Sequence, residues 1–380
     1  MAVLRVGSVA LAAVVVSLLM LAGLASAGSG AEVRTVVSGL DNPRDLAFSP
    51  SGRLYVAEAG HGGSECVTGG EEGTACFGFT SGISQIDLRQ GTAHRVVDGL
   101  ASVADQDGSA ATGVDGISFR HDGRLLGILT GASDAIPPGL SADTTAKLTA
   151  QLGRLIGVTP PDGTVDVLAD VGHADWVWSS EHTDLVPGQF PDANPYGVLA
   201  GKKATWVVDA GANTIDRIDS AGAVTIAAFV PNPPASDAVP TCIDRGPDGA
   251  LYVGELTGAG NQPGASTVWR FTPKDGKLTQ WATGLTAVTG CGFAPDGRFY
   301  ATEFSTLGLD NAAPGTGAVV RVREGDTAPE DVVTGLNFPG GFAAADDGSL
   351  YVSNWSVAPA AAPQSGEVVR IQVRRGHHHD

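Results

Sequence analysis

The chain has 380 residues, among them 53 glycines, with 43% hydrophobic, 17% charged and 6% aromatic residues. That much apolar material excludes a disordered chain. A formal charge of −18, with 5 Lys against 18 Arg, excludes a phosphate-neutralising nucleic-acid surface and stable docking on anionic lipid.

In chain order, Arg5 precedes an apolar run over residues 9–21, and Ala25-Ser26-Ala27 follows as a small-x-small exit. The run is short for a membrane span, so residues 1–27 are expected to be a cleaved secretory signal, with the mature chain starting at Gly28 outside the cytoplasm. In an oxidising compartment Cys66 and Cys76, which bracket a Gly/Glu-rich loop, are expected to form a disulfide. Cys242 and Cys291 fall on inner strands of neighbouring repeats and read as buried thiols packing as small apolar residues.

Six segments repeat one pattern: a short strand, a tight turn, then a strand rich in Leu, Tyr and Val. They are Leu46-AFSPSGRLYVA-Glu58, Ile117-SFRHDGRLLGI-Leu129, Gly197-VLAGKKATWVV-Asp209, Ile243-DRGPDGALYVG-Glu255, Cys291-GFAPDGRFYAT-Glu303 and Phe342-AAADDGSLYVS-Asn354. Each predicts a hairpin. Third strands are expected to begin at Ile83, Arg154, Thr214, Thr267, Val319 and Val368. Fourth strands follow at Arg95–Leu100, Val165–Asp170, Val224–Val230, Gln280–Leu285 and Asp331–Leu336. The sixth fourth strand is missing after its hairpin, and Arg34–Leu40 at the N-terminus is positioned to supply it. The expected fold is therefore all-β: a six-bladed β-propeller of four-stranded antiparallel blades over residues 28–375, closed by an N-terminal strand that completes the last blade.

Two units are long. Ser141 to Gln151, with Ser141 as N-cap, is expected to be a short helix. His173 to Pro195 reads as a long connection between the second and third blades. The tail over residues 376–380 contains His377, His378 and His379 and reads as an exposed terminus that would take up metal adventitiously.

Chemistry is expected at one rim, where second strands end and first strands begin. Glu58, Asp209, Glu255, Glu303 and Asn354 share one repeat position there, and Asp115, Asn194 and Tyr196 precede or open first strands on the same side. Oxygen donors around an axis suit a hard cation, so Asp115, Asn194, Asp209, Glu58, Glu255 and Glu303 are candidate ligands for Ca²⁺ or another divalent metal. The alternative is local: such residues accept the backbone N–H groups of the adjoining loop. Arg44, Tyr196, Asn354 and His182 are candidate ligand-binding residues. His173, Asp175, Glu181, His182 and Asp184 form a second polar group, without a metal-binding spacing. No nucleophile elbow, dinucleotide fingerprint or P-loop is present.

Gly39-LDNPRDLAFSPSGRLYVAEAG-His61, the Cys66/Cys76 loop running into Cys76-FGFTSGISQI, and Asp192-ANPYG-Val198 before Val208-DAGANTIDRI together resemble the ScyD/ScyE family of exported propellers, within the NHL/TolB-like six-bladed superfamily. The resemblance implies an extracytoplasmic propeller tied to metal-assisted or oxidative tailoring of a small molecule, and carries no residue-by-residue catalytic set. Two functions follow as expectations. One is a secreted, monomeric propeller binding a small molecule, glycan or partner at the rim of its channel. The other is a metal-dependent enzyme of the lactonase-like or oxidative kind. Against a lactonase, Leu40-Asp-Asn-Pro-Arg44 replaces the early Gly-Glu-x-Pro segment of gluconolactonase-like propellers.

Overall fold

A computed structural model describes residues 26–27, 31–68, 73–260, 262–357 and 366–373. Most of the expected signal segment and the whole histidine tail lie outside the described residues. Six antiparallel sheets form the structure, each built on four strands. Blade 1 comprises Pro43–Phe48, Leu54–Glu58, Thr74–Asp87 and Thr92–Asp105, and blade 2 comprises Val114–Phe119, Leu125–Leu129, Arg154–Thr159 and Thr164–Asp170. Blade 3 is Pro195–Leu199, Thr205–Asp209, Thr214–Ile218 and Val224–Phe229, and blade 4 is Pro240–Arg245, Leu251–Glu255, Ser266–Thr272 and Lys277–Leu285. Blade 5 is Val288–Phe293, Phe299–Glu303, Gly317–Val322 and Glu330–Leu336, with Ser26–Ala27 paired to its outer edge. Blade 6 is Phe342–Ala344, Leu350–Asn354 and Gly366–Val373, completed by Ala31–Leu40 from the N-terminus. Val33 stands opposite Ile371 and Thr35 opposite Val369, as expected for the strand missing from the last blade.

Alternation along the strands explains the ring. Every residue of all six second strands is buried. Successive side chains point to opposite faces, so one strand serves two interfaces. Tyr55 and Ala57 join the apolar cluster shared with blade 2, whereas Leu54 and Val56 join the one shared with blade 6. Four more clusters fill the remaining blade interfaces, and a large side chain fully buried in any of them contributes roughly 1.5–3 kcal/mol.

Three insertions decorate the ring. Glu65–Thr68 folds back on Thr74–Phe77 as a hairpin, with Cys66 directly opposite Cys76 and disulfide-bonded to it. Helix α1 spans Ala142–Gln151, and its N-cap Ser141 accepts the Thr144 N–H as expected. The connection after blade 2 departs from expectation: its first part is a second helix, α2, over Val171–Glu181, capped by Asp170 accepting the His173 N–H. Its buried face is Val171, Asp175 and Ser179, at i, i+4 and i+8. A helical stripe made partly of polar residues hides from an apolar-periodicity reading. Among the described residues no helix is long and apolar enough to cross a membrane.

Candidate functional site

The rim carboxylates hold the rim together. Glu58 Oε2 accepts the Asp41 N–H at 2.8 Å, and its Oε1 accepts the Ser84 hydroxyl at 2.5 Å. Asp209 Oδ1 accepts the N–H groups of Asn194, Gly211 and Ala212. Glu255 accepts the Thr267 N–H and the Trp269 indole N–H, each at 2.8 Å. Glu303 accepts the Thr286 N–H at 2.8 Å, and Asn354 the Asn337 N–H at 2.7 Å. Asn194 Oδ1 accepts the Thr130 hydroxyl. Burial raises Glu255 to about 8 and Glu303 to about 7, with the N–H donors opposing the shift. Among the described residues no group of three or more His, Cys, Asp or Glu is placed to hold a metal ion. Glu58, Asp209, Glu303 and Asn354 thus each tie down the loop entering a first strand, whereas Glu255 holds the third strand of its own blade. Over blades 3 to 6 the same rim is packed with apolar side chains, Leu256, Phe304, Val239 and Phe338 among them.

The axis is built differently. A β-bulge interrupts the pairing of the first and second strands at one place in blades 1 to 5. Such a bulge re-aims a side chain. The residues there are Arg44, Asp115, Tyr196, Thr241 and Thr289. One position further along, Asp45, Gly116, Gly197, Cys242, Gly290 and Gly341 form a ring in which every member touches the next blade. A Cβ on Gly116 would sit 2.4 Å from the Tyr196 carbonyl oxygen, one on Gly197 2.8 Å from that of Thr241, and one on Gly290 2.6 Å from that of Gly340. On Gly341 it would lie 2.3 Å from Asp45 Cα. Asp45 Oδ2 reaches blade 2 by accepting the Ile117 N–H at 3.1 Å.

Cys242 reaches blade 5 through a disulfide to Cys291. This corrects the reading of both as free thiols. Their places in the repeat differ by one position, which carries Cys242 toward the strand on which Cys291 sits, with Cα atoms 5.6 Å apart.

Asp45, Asp115, Tyr196, Thr241 and Thr289, with the glycines and cysteines of the ring, line a small axial pocket open to solvent. Beside the pocket, Arg44 links three blades. Its Nε lies 3.3 Å from Asp115 Oδ1, its Nη2 donates to the Ala111 carbonyl, and its guanidinium hydrogen-bonds to the Tyr196 hydroxyl. Burial raises Asp115 to about 6 against the pull of Arg44, and raises Tyr196 to about 12. Burial likewise lifts Asp45 to about 7; the Ile117 and Leu46 N–H groups oppose this, and the charge of Asp244 adds to it. Asp244, in blade 4 opposite blade 1, is itself raised by burial while accepting the Phe293 N–H at 2.8 Å. Asp45, Tyr196 and Thr289 keep part of their surface exposed, so solvent reaches the pocket.

The structure thus joins Arg44, Asp115 and Tyr196 at the axis, and Asn194 to Asp209 at the rim. Asn354 also donates to Glu367 at the rim. His182 stacks on Trp178 at 4.3 Å, at the end of α2. The second polar group is dispersed: His173 pairs with Asp134 at 3.0 Å, Asp175 is buried, and Glu181 and Asp184 are exposed. Asp45 and Asp244 escape sequence reasoning because each is the lone acid at its repeat position. Their only sequence signal is a charge inside an apolar strand.

No protein-family model and no curated protein matches the chain. Solved structures do match in fold. A gluconolactonase from Xanthomonas campestris superposes with a TM-score of 0.53 at 10% identity, covering 93% of this chain and 99% of its own. A putative oxidoreductase (glucose dehydrogenase) from Thermus thermophilus gives 0.52 at 16%, covering 90% and 100%. A luciferin-regenerating enzyme gives 0.52 at 9%, covering 90% and 95%. At these identities the likeness is one of fold, a likeness to six-bladed propellers, and it does not reach the ScyD/ScyE family.

Proposed function

We propose that this chain is a ligand-binding propeller whose axial pocket takes a small cationic or hydrogen-bond-donating molecule. The observation that carries this reading is the acidic lining of the pocket: Asp45 and Asp115 both line it, the charge of Asp244 adds to that of Asp45, and the Arg44 guanidinium is paired with Asp115. A bound cation stabilises the ionised form of Asp45, and the overall charge of −18 draws cations toward the protein. The two disulfides support placing the protein in an oxidising, extracytoplasmic compartment. Thermal unfolding with ethanolamine as probe tests the proposal. Ethanolamine is expected to raise the Tm of the wild type and to leave Asp45→Asn unmoved; an equal response from both proteins, or none from the wild type, overturns it.

A further inference from the structure

Helix α2 is seated on blade 3 through carboxyl groups. Asp175 on α2 and Asp209 and Asp216 on the second and third strands of blade 3 are fully buried. Asp175 is in hydrogen-bond contact with both of the others. Its Oδ1 accepts the Thr214 hydroxyl at 3.0 Å, and Asp209 Oδ1 is occupied by three backbone N–H groups. Asp175 Oδ2, Asp209 Oδ2 and both oxygens of Asp216 accept no backbone N–H, and the Thr214 hydroxyl held by Asp175 also lies beside Asp216. Carboxylates in contact away from water repel one another strongly, which favours their protonated form. A proton shared between two carboxyl groups relieves that repulsion with no further ligand.

We propose that Asp175, Asp209 and Asp216 share bound protons that hold α2 against blade 3, and that the helix loosens as those protons are lost. With its N–H donors, Asp209 is the member best able to carry charge, so Asp175 donates its proton toward it. Burial, reinforced by Asp216 and Asp209, holds Asp175 well above the usual carboxylate range; burial and Asp209 do the same to Asp216. These folded-state values are raised, so the contribution to stability is full at low pH and is lost as pH rises through them.

The other charges near α2 are engaged elsewhere. Strand Arg154–Thr159 brings Arg154, which pairs with Asp170, and the turn Ser133–Ala135 brings Asp134, which pairs with His173. Strand Val224–Phe229 brings no titratable side chain. From the connector, the Asp192 N–H and carbonyl both bond to the Ser179 hydroxyl, and Asp192 is itself buried. His182 faces the C-terminal end of α2, its Nδ1 2.7 Å from the Trp178 carbonyl oxygen.

Hydrogen exchange of the intact protein, compared between about pH 6 and about pH 9 after correction for intrinsic rates, tests the proposal. Protection of residues 171–181 is expected to fall at least about tenfold in the wild type, the equivalent of one pKa unit. It is expected to stay flat in Asp216→Asn, or in Asp175→Asn should the first variant fail to fold. Protection that does not change with pH in the wild type would overturn the proposal, as would a neutral variant that loosens α2 equally at every pH. So would restoration of protection at the higher pH by calcium, which would make the bound species a metal.

Discussion

Glu65 in the blade 1 hairpin accepts both the backbone N–H of Ser141, at 2.7 Å, and its hydroxyl, at 2.8 Å. It also accepts the Thr144 hydroxyl at 2.5 Å. The disulfide-pinned hairpin of one blade is thus fastened to the first turn of α1, inserted in the next, with a carboxylate at the positive end of the helix. These donors hold Glu65 below the ordinary carboxylate range, so the fastening is complete above that range and weakens as pH falls through the lowered value.

Replacing Ser141 by Ala removes the N-cap and one of those bonds together. We expect a loss of about 1 kcal/mol, the usual cost of a lost Ser cap, with faster hydrogen exchange in α1 while the remaining blades stay unchanged. Unchanged exchange in α1 would show that the cap does not hold it.

The glycines of the axial ring predict a steric effect. Gly116→Ala sets a Cβ against the Tyr196 carbonyl oxygen with no flexible atom to yield. The expected cost is roughly 1–3 kcal/mol, as for other overpacked cores, read as a lower urea midpoint. The same substitution at Gly123, where a Cβ meets nothing within 4 Å but φ is +88°, tests backbone strain alone.

The Cys242–Cys291 bridge closes a loop of sequence separation 49 across the ring. Chain-entropy reasoning assigns such a loop on the order of 4 kcal/mol. Paired Cys242→Ser and Cys291→Ser replacement should therefore lower Tm well beyond the Cys66/Cys76 pair, whose separation is 10. Thiol counting on the unfolded, unreduced protein should find no free cysteine; two reactive thiols would break the assignment.

Glu255 sets a pH dependence. Its folded-state value of about 8 lies above 4.5, so stability from its neutral form is present at low pH and lost as pH rises through about 8. Glu255→Gln should start about 1 kcal/mol less stable, because one amide oxygen must replace two acceptors for Thr267 and Trp269. Unfolding curves from acid to alkaline pH should then draw together, the variant's slope being shallower.

The propeller was legible because six hairpins repeat one pattern, and the absent fourth strand of the last blade pointed to Arg34–Leu40. The axis was only partly legible. Arg44, Asp115 and Tyr196 stood out as polar residues entering first strands, but a bulge, which turns them toward one another, leaves no mark in composition. The rim residues stood out because one repeat position carries them, and four of them accept the N–H of an entering loop. The helical form of α2 was hidden by Asp175 and Ser179 on its buried face, and the second disulfide by the one-position offset between its cysteines.

Whether binding belongs to the axis or to the rim is decided by calorimetric titration with ethanolamine of the wild type, Asp45→Asn and Glu255→Gln. Binding in the wild type is expected to strengthen as pH rises through about 7, where Asp45 ionises. That binding is expected to be lost in Asp45→Asn and retained in Glu255→Gln. Binding abolished by the rim substitution and untouched by the axial one would contradict a site at the axis.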